Sequence, residues 1–279
     1  IYLMDNVAKL MIVNHSKEIR DMSRSVYFQF LMEYDQGKGR LEKQFKYLVS
    51  NLTYPTEEGR QSIMELIHLI VVKAGKDLLN KLASSFFVAL ANVLVSDVSS
   101  RCREMASSLI TTILKKLDDT SSMEKYCLAW IKQSTNSLLK RCGLNIYKLI
   151  IMARGFGKNK ELDKIALDNI LNIIEASRNS KDDDEEERSM PSTSTSGGGG
   201  DVEWELVYAC LSTFSSIASI LKDRIFEYRK IWNGIINILL FPHSWIRLIT
   251  CRLVTILLSN NVVSESRKYD LETIATKLI

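Results

Sequence analysis

Residues 54–71 read Tyr54-Pro-Thr-Glu-Glu-Gly-Arg60-Gln-Ser-Ile-Met-Glu-Leu-Ile-His-Leu-Ile-Val71. Three signals follow one another in this stretch. Pro55 fixes φ and stops whatever precedes it. Thr56 can accept a hydrogen bond from an orphan amide of a first helical turn, a contribution of about 1 kcal/mol. Ile63, Leu66, Ile67, Ile70 and Val71 then recur at the spacing of one helix face. Four residues after the capping threonine stands a base, Arg60.

The same pairing of a small or capping residue with a base four positions on recurs along the chain, at Ser16/Arg20, Thr56/Arg60, Asp97/Arg101, Asn136/Lys140 and His243/Arg247. The basic members lie 40, 41, 39 and then 107 residues apart. The last gap accommodates two repeats and an insertion of roughly 25 residues. A sixth member then falls at Asp201/Glu205, acidic where the others are basic. Pro242 precedes His243 as Pro55 precedes Thr56, which supports the register.

Each pair opens a helix with an apolar stripe, such as Val207, Cys210, Leu211, Phe214, Ile217 and Leu221. Partner helices are predicted at about 40–52, 77–96, 122–133, 160–176 and 226–240, with a final one near 267–278. One helical hairpin cannot cover its own apolar face, so neighbours must stack. The predicted fold is therefore all-α, an α-α superhelix of the HEAT/armadillo-like solenoid type, with roughly six antiparallel helical hairpins. The expected division is a first solenoid part over 1–177, an insertion over 178–200, and the solenoid continued over 201–279.

Composition agrees with this. The chain has 279 residues, 46% hydrophobic and 25% charged, with only 3 Pro and 12 Gly. Four of those glycines form the single run Gly197–Gly200, so breakers are scarce elsewhere. The apolar run Ile235 to Phe241 is interrupted by Asn237 and falls far short of the ~18 residues of a membrane helix. No membrane partner is expected. The chain starts at Ile1 in a helical pattern, which suggests an excerpt of a longer polypeptide. Cys102, Cys127, Cys142, Cys210 and Cys251 have no CxxC spacing and lie mostly in apolar helical patterns. They are expected to be buried, reduced thiols of an intracellular protein.

The insertion changes character abruptly. Arg178 to Arg188 holds three basic and six acidic residues, and Ser, Thr, Pro and Gly follow without apolar periodicity. This stretch is expected to be disordered. Its net −3 within a total of +4 leaves +7 elsewhere, a mildly basic folded part that falls short of a dedicated nucleic-acid binder. Ser180 with Asp183 three residues on suits an acid-directed kinase, which would add about −1.5 to −2 of charge.

No constellation for chemistry emerges. His15, His68 and His243 have no metal-ligand spacing to Cys or His, so no metal site is expected. Arg154-Gly-Phe-Gly-Lys158-Asn159 imitates part of a phosphate loop. Met152 stands where the first glycine belongs and Asn159 where a hydroxyl would reach magnesium, and no strand precedes it. A helix stop is the better reading. No cofactor, small-molecule substrate or catalytic residue is expected. Two basic groups can meet RNA phosphates or acidic protein segments: Arg40, Lys43 and Lys46 at spacings of three on one helix, and Arg154, Lys158, Lys160 and Lys164 around a turn.

Four stretches carry a more specific signal: Phe28-Gln-Phe-Leu-Met-Glu-Tyr-Asp-Gln-Gly-Lys38, Gly59-Arg-Gln-Ser-Ile-Met-Glu-Leu66, Ser100-Arg-Cys-Arg-Glu-Met-Ala106 and Pro242-His-Ser-Trp-Ile246. They resemble, in order, a late segment of the U-three small nucleolar RNA-associated protein twenty family, also called down-regulated in metastasis. The resemblance implies a non-catalytic HEAT-repeat scaffold of the nucleolar small-subunit processome, supporting pre-ribosomal RNA processing and small-subunit assembly. It implies processome proteins, pre-ribosomal RNA or the guide ribonucleoprotein as partners, and no catalytic residue. The insertion at 178–200 departs from the family pattern. Hairpin geometry alone also suits an importin-type transport receptor or the helical arm of a large lipid-kinase-like enzyme.

Overall fold

A computed structural model of the chain describes residues 2–34, 36–37, 39–133, 135–179, 204–227, 229–259, 272 and 276. Among them are twelve α-helices and no strand: α1 (Tyr2–Val13), α2 (Lys17–Glu33), α3 (Arg40–Ser50), α4 (Glu57–Lys73), α5 (Lys76–Ser96), α6 (Ser100–Lys116), α7 (Ser121–Lys132), α8 (Ser137–Arg154), α9 (Lys160–Asn179), α10 (Trp204–Glu227), α11 (Arg229–Ile238) and α12 (Ser244–Leu258). Glu272 and Thr276 are also helical, Thr276 Oγ1 donating to the Glu272 carbonyl at 2.7 Å. The all-α repeat fold expected from the sequence is present. The rest of the expected final helix, residues 180–200 of the insertion and Ser180 lie outside the described residues.

Two compact units divide the chain, Ile1–Lys125 and Tyr126–Ile279. In the first, α2 packs on α4 and α4 on α6, while α3 packs on α5 in a second layer and α1 lies against α2 and α4. In the second, α10 lies between α8 and α12, and α9 packs on α11. Helices opened by the recurring pairs thus stack on one another and partners stack on partners, the arrangement of a helical repeat. The first core is filled by Met11, Tyr27, Leu48, Ile63, Leu66, Phe86, Phe87 and Ile110. The second is filled by Tyr147, Ile170, Val207, Phe214, Ile235, Ile246 and Leu253.

The capping residues do what their chemistry suggests. Ser16 Oγ accepts from the Ile19 amide, Thr56 Oγ1 from Gly59 and Asn136 Oδ1 from Leu139. One pair needs correction. The N-cap of α6 is Ser99, whose Oγ accepts from the Cys102 amide, and its base four residues on is Arg103, not Arg101. Asp97 is the C-cap of α5, and its Oδ1 accepts from the Ser99 amide at 2.8 Å. Asp97-Val-Ser-Ser-Arg101-Cys-Arg103 holds two candidate pairs two residues apart, and the Asp97 side chain is taken by the loop. His243 is the N-cap of α12 without a side-chain capping bond. Its imidazole instead lies flat on Trp204 at the start of α10, with ring centroids 4.4 Å apart and planes 8° from parallel.

The arginines of four pairs share a structural task that the spacing alone did not disclose. Arg20 Nη1 donates to the carbonyls of Asn14 and His15 at 2.8 and 2.9 Å. Arg60 does the same to Tyr54 and Pro55 at 2.9 and 3.1 Å. Arg103 reaches Asp97 and Val98 at 2.6 and 3.1 Å, and Arg247 reaches Phe241 and Pro242 at 2.9 and 2.6 Å. Each guanidinium closes the loop before its own helix by taking the carbonyls six and five residues back. Forked, rigid N–H donors suit arginine to this more than lysine.

Two further points adjust the sequence reading. Cys102, Cys127, Cys142 and Cys210 are buried, but Cys251 is exposed on α12. Burial pushes the Cys142 thiol up to about 12, and raises Cys210 as well. Helix α5 has 21 residues, and an 18-residue window within it reaches a mean hydropathy of 1.7, enough by length and composition to cross a membrane. Its Leu79, Leu82, Phe86, Phe87, Leu90 and Val93 are buried in the first unit.

Candidate functional site

Arg40 is the first residue of α3, and Gly39 before it has φ 80°, the left-handed backbone that glycine adopts cheaply. The α3 helix is anchored by Phe45 and Leu48 in the core, with the Phe45 ring edge-on to Phe86 of α5 at 6.0 Å. That anchoring turns Arg40 and Lys43 outward over a cleft of about 590 Å³ in the first unit. Lys9 from α1 faces the same space, together with Asp5, Phe30, Gln36, Gln44 and Tyr47. Lys46, exposed one turn further along α3, does not line it.

The cleft walls are held in place by hydrogen bonds. Gln36 Nε2 donates to the Phe30 carbonyl at 2.8 Å, closing the loop after α2. The Tyr27 hydroxyl donates to Gln44 Oε1, tying α2 to α3. Tyr47 is half-buried, and burial, with the nearby Asp5 carboxylate and Tyr54, raises its hydroxyl above the usual range. It therefore stays neutral. Phe30 belongs to a row of rings along α2, its centroid 6.2 Å from both Tyr27 and Tyr34. Tyr34, at the end of that row, is 67% exposed. Lys9, Phe30, Gln36, Gln44 and Tyr47 carried no separate signal in the sequence, because the cleft joins three helices.

The second basic group is arranged differently. Helix α8 ends at Arg154, and Gly155 and Gly157 follow with φ of 90° and 86°, so the phosphate-loop lookalike is a helix stop. The Gly157 amide donates to Oδ2 of the buried Asp163 at 2.8 Å, and the Tyr147 hydroxyl donates to its Oδ1 at 3.1 Å. Asn159 Oδ1 accepts from the Leu162 amide, capping α9. Lys158, Lys160 and Lys164 are exposed around this turn, and Arg154 is half-buried at the carbonyl end of α8. Among the described residues no group of three His, Cys, Asp or Glu side chains could hold a metal ion.

Stacked helices in two layers and guanidinium-closed loops define an all-α helical-repeat protein of the solenoid class. No protein-family model matches the chain. Across 99% of its length it is 47% identical, over 283 aligned residues, to U3 small nucleolar RNA-associated protein 20 of Saccharomyces cerevisiae. Across 90% it is 30% identical to the protein of the same name from Schizosaccharomyces pombe. The chain is homologous to a segment of those proteins and spans 10% of their length, so the resemblance carried by its four sequence words is borne out. A crystal structure of an engineered protein aligns over 92% of this chain and 96% of its own, at 12% identity and a TM-score of 0.38.

Proposed function

We propose that this chain is a non-catalytic scaffold segment of the small-subunit processome, acting in the nucleolus to support pre-ribosomal RNA processing and small-subunit assembly. The observation that carries the reading is the end-to-end similarity to proteins named for association with U3 small nucleolar RNA. The repeat architecture agrees with it, because stacked hairpins supply long contact surfaces.

In this reading Arg40, Lys43 and Lys46 on α3, and Arg154, Lys158, Lys160 and Lys164 around the α8–α9 turn, meet RNA phosphates or acidic segments of processome proteins. Their exposure, half-burial for Arg154, supports that role. Ser180, ahead of the acidic run, is the acceptor for an acid-directed kinase. The test is depletion of the intact protein followed by analysis of precursor RNA. Early cleavages toward the small-subunit RNA should stall and uncut precursor should accumulate; unchanged precursor levels would refute the reading.

A further inference from the structure

The cleft between α1, α2 and α3 combines features that a generic basic surface lacks. Three cations, Lys9, Arg40 and Lys43, converge on one space of about 590 Å³. That volume is within the ~300–1,000 Å³ of small-ligand sites. Two aromatic rings, Phe30 and Tyr47, two amides, Gln36 and Gln44, and one carboxylate, Asp5, line the same walls, so the cations outnumber the anion three to one. The ring row on α2 extends the aromatic surface outward through the exposed Tyr34.

An acidic protein segment would need the cations alone. Rings beside cations are what unpaired nucleotides use, with phosphates on the bases and nucleobase faces on the aromatics. Gln44 Nε2 and Gln36 Oε1, the amide atoms that do not hold the walls together, add a donor and an acceptor for a base edge. A double helix keeps its bases stacked inside and has nothing to offer Phe30 or Tyr47. We infer that the cleft is a binding site for single-stranded RNA, with Lys9, Arg40 and Lys43 on the backbone and Phe30, Tyr34 and Tyr47 against unstacked bases. This rests on the proposed association with pre-ribosomal RNA and deepens it to a named site and a named form of RNA.

The test is ultraviolet crosslinking of the intact cellular protein, with mass spectrometry of peptides that carry nucleotide adducts. Adducts are expected on the peptides containing Phe30, Tyr34 and Tyr47. A Lys9→Gln, Arg40→Gln, Lys43→Gln variant, changing exposed residues only, should lower their yield about tenfold or more as phosphate contacts are lost. Lys81→Gln, which removes an exposed charge from α5, should leave it unchanged. Adducts elsewhere on the protein but none on these peptides would overturn the site while leaving the processome reading intact. Lysine crosslinks joining Lys9 and Lys43 to acidic protein segments, without nucleotide adducts, would overturn it in favour of a protein partner. Recovery of no nucleotide adduct on any peptide would overturn the site, while the processome reading stands or falls on the depletion test.

Discussion

Arg60 holds both carboxylate oxygens of Asp97, thirty-seven residues later in the chain, with Nε 2.7 Å from Oδ2 and Nη2 2.8 Å from Oδ1. The same guanidinium closes its own loop through the carbonyls of Tyr54 and Pro55. Asp97 in turn accepts from the Ser99 amide, and its carbonyl accepts from Arg103. Two successive loops are thus joined through one bidentate pair whose side chains are only 9% and 5% exposed. The link fixes the spacing of α4 and α6, which pack side by side.

Removing one member of this pair strands the other. Asp97→Ala should destabilise the first unit by about 3–5 kcal/mol, the cost of an uncompensated buried charge. Replacing both residues by apolar ones of similar volume should cost much less. Urea unfolding of the two variants beside the parent chain measures the difference; equal losses would contradict the buried pairing.

The pair also sets a pH dependence. Burial works to raise the Asp97 carboxyl, but the bonds from Arg60 and the Ser99 amide, with the charges of Arg60 and Arg103, outweigh it and hold it below its ordinary 3.8. A depressed native carboxyl contributes stability that is fully present above the unfolded value. That contribution is lost as pH falls through the lower native value. The stability difference between the parent and Asp97→Asn should therefore be flat at neutral pH and shrink below about pH 4. A difference that persists unchanged through that range would place the interaction elsewhere.

Arg103 and Arg101 separate the observed register from the one the sequence suggested. Arg103→Gln gives up charge-assisted bonds to two loop carbonyls and should cost about 1–2 kcal/mol. Arg101→Gln, on the exposed side of the same turn, should stay within about 0.5 kcal/mol of the parent. Thermal unfolding of both variants reads this directly.

Gly143 is buried in the middle of α8, where a Cβ would lie 2.9 Å from the Ile131 amide nitrogen and 2.7 Å from its Cγ1. Gly143→Ala should destabilise the second unit by about 1–3 kcal/mol despite the better helix propensity of alanine. On an open helix the same change would stabilise, so the sign alone decides.

Helix positions were legible because they depend on local signals. The partner helices α3, α5, α7, α9 and α11 fall within a few residues of their predicted ranges, and Pro55 and Pro242 stand immediately before their N-caps as the register required. Misreading came where two local signals competed. Asp97 and Ser99 are both good capping residues, and only the tertiary bond to Arg60 shows which is free to cap. His243 stands at the cap position the register predicts, while the Trp204 ring at the start of α10 supplies a stacking partner that spacing cannot reveal. The cleft was half legible. Arg40 and Lys43 share a helix face by period alone, whereas Lys9 and the rings reach them only through packing of α1 and α2.

Affinity purification of the intact protein, with sequencing of bound RNA and identification of bound proteins, tests whether this chain is part of a ribosome-assembly scaffold. Large particles containing small-subunit processome proteins and precursor ribosomal RNA are expected. Recovery of the intact protein without either, in particles no larger than itself, would contradict that role.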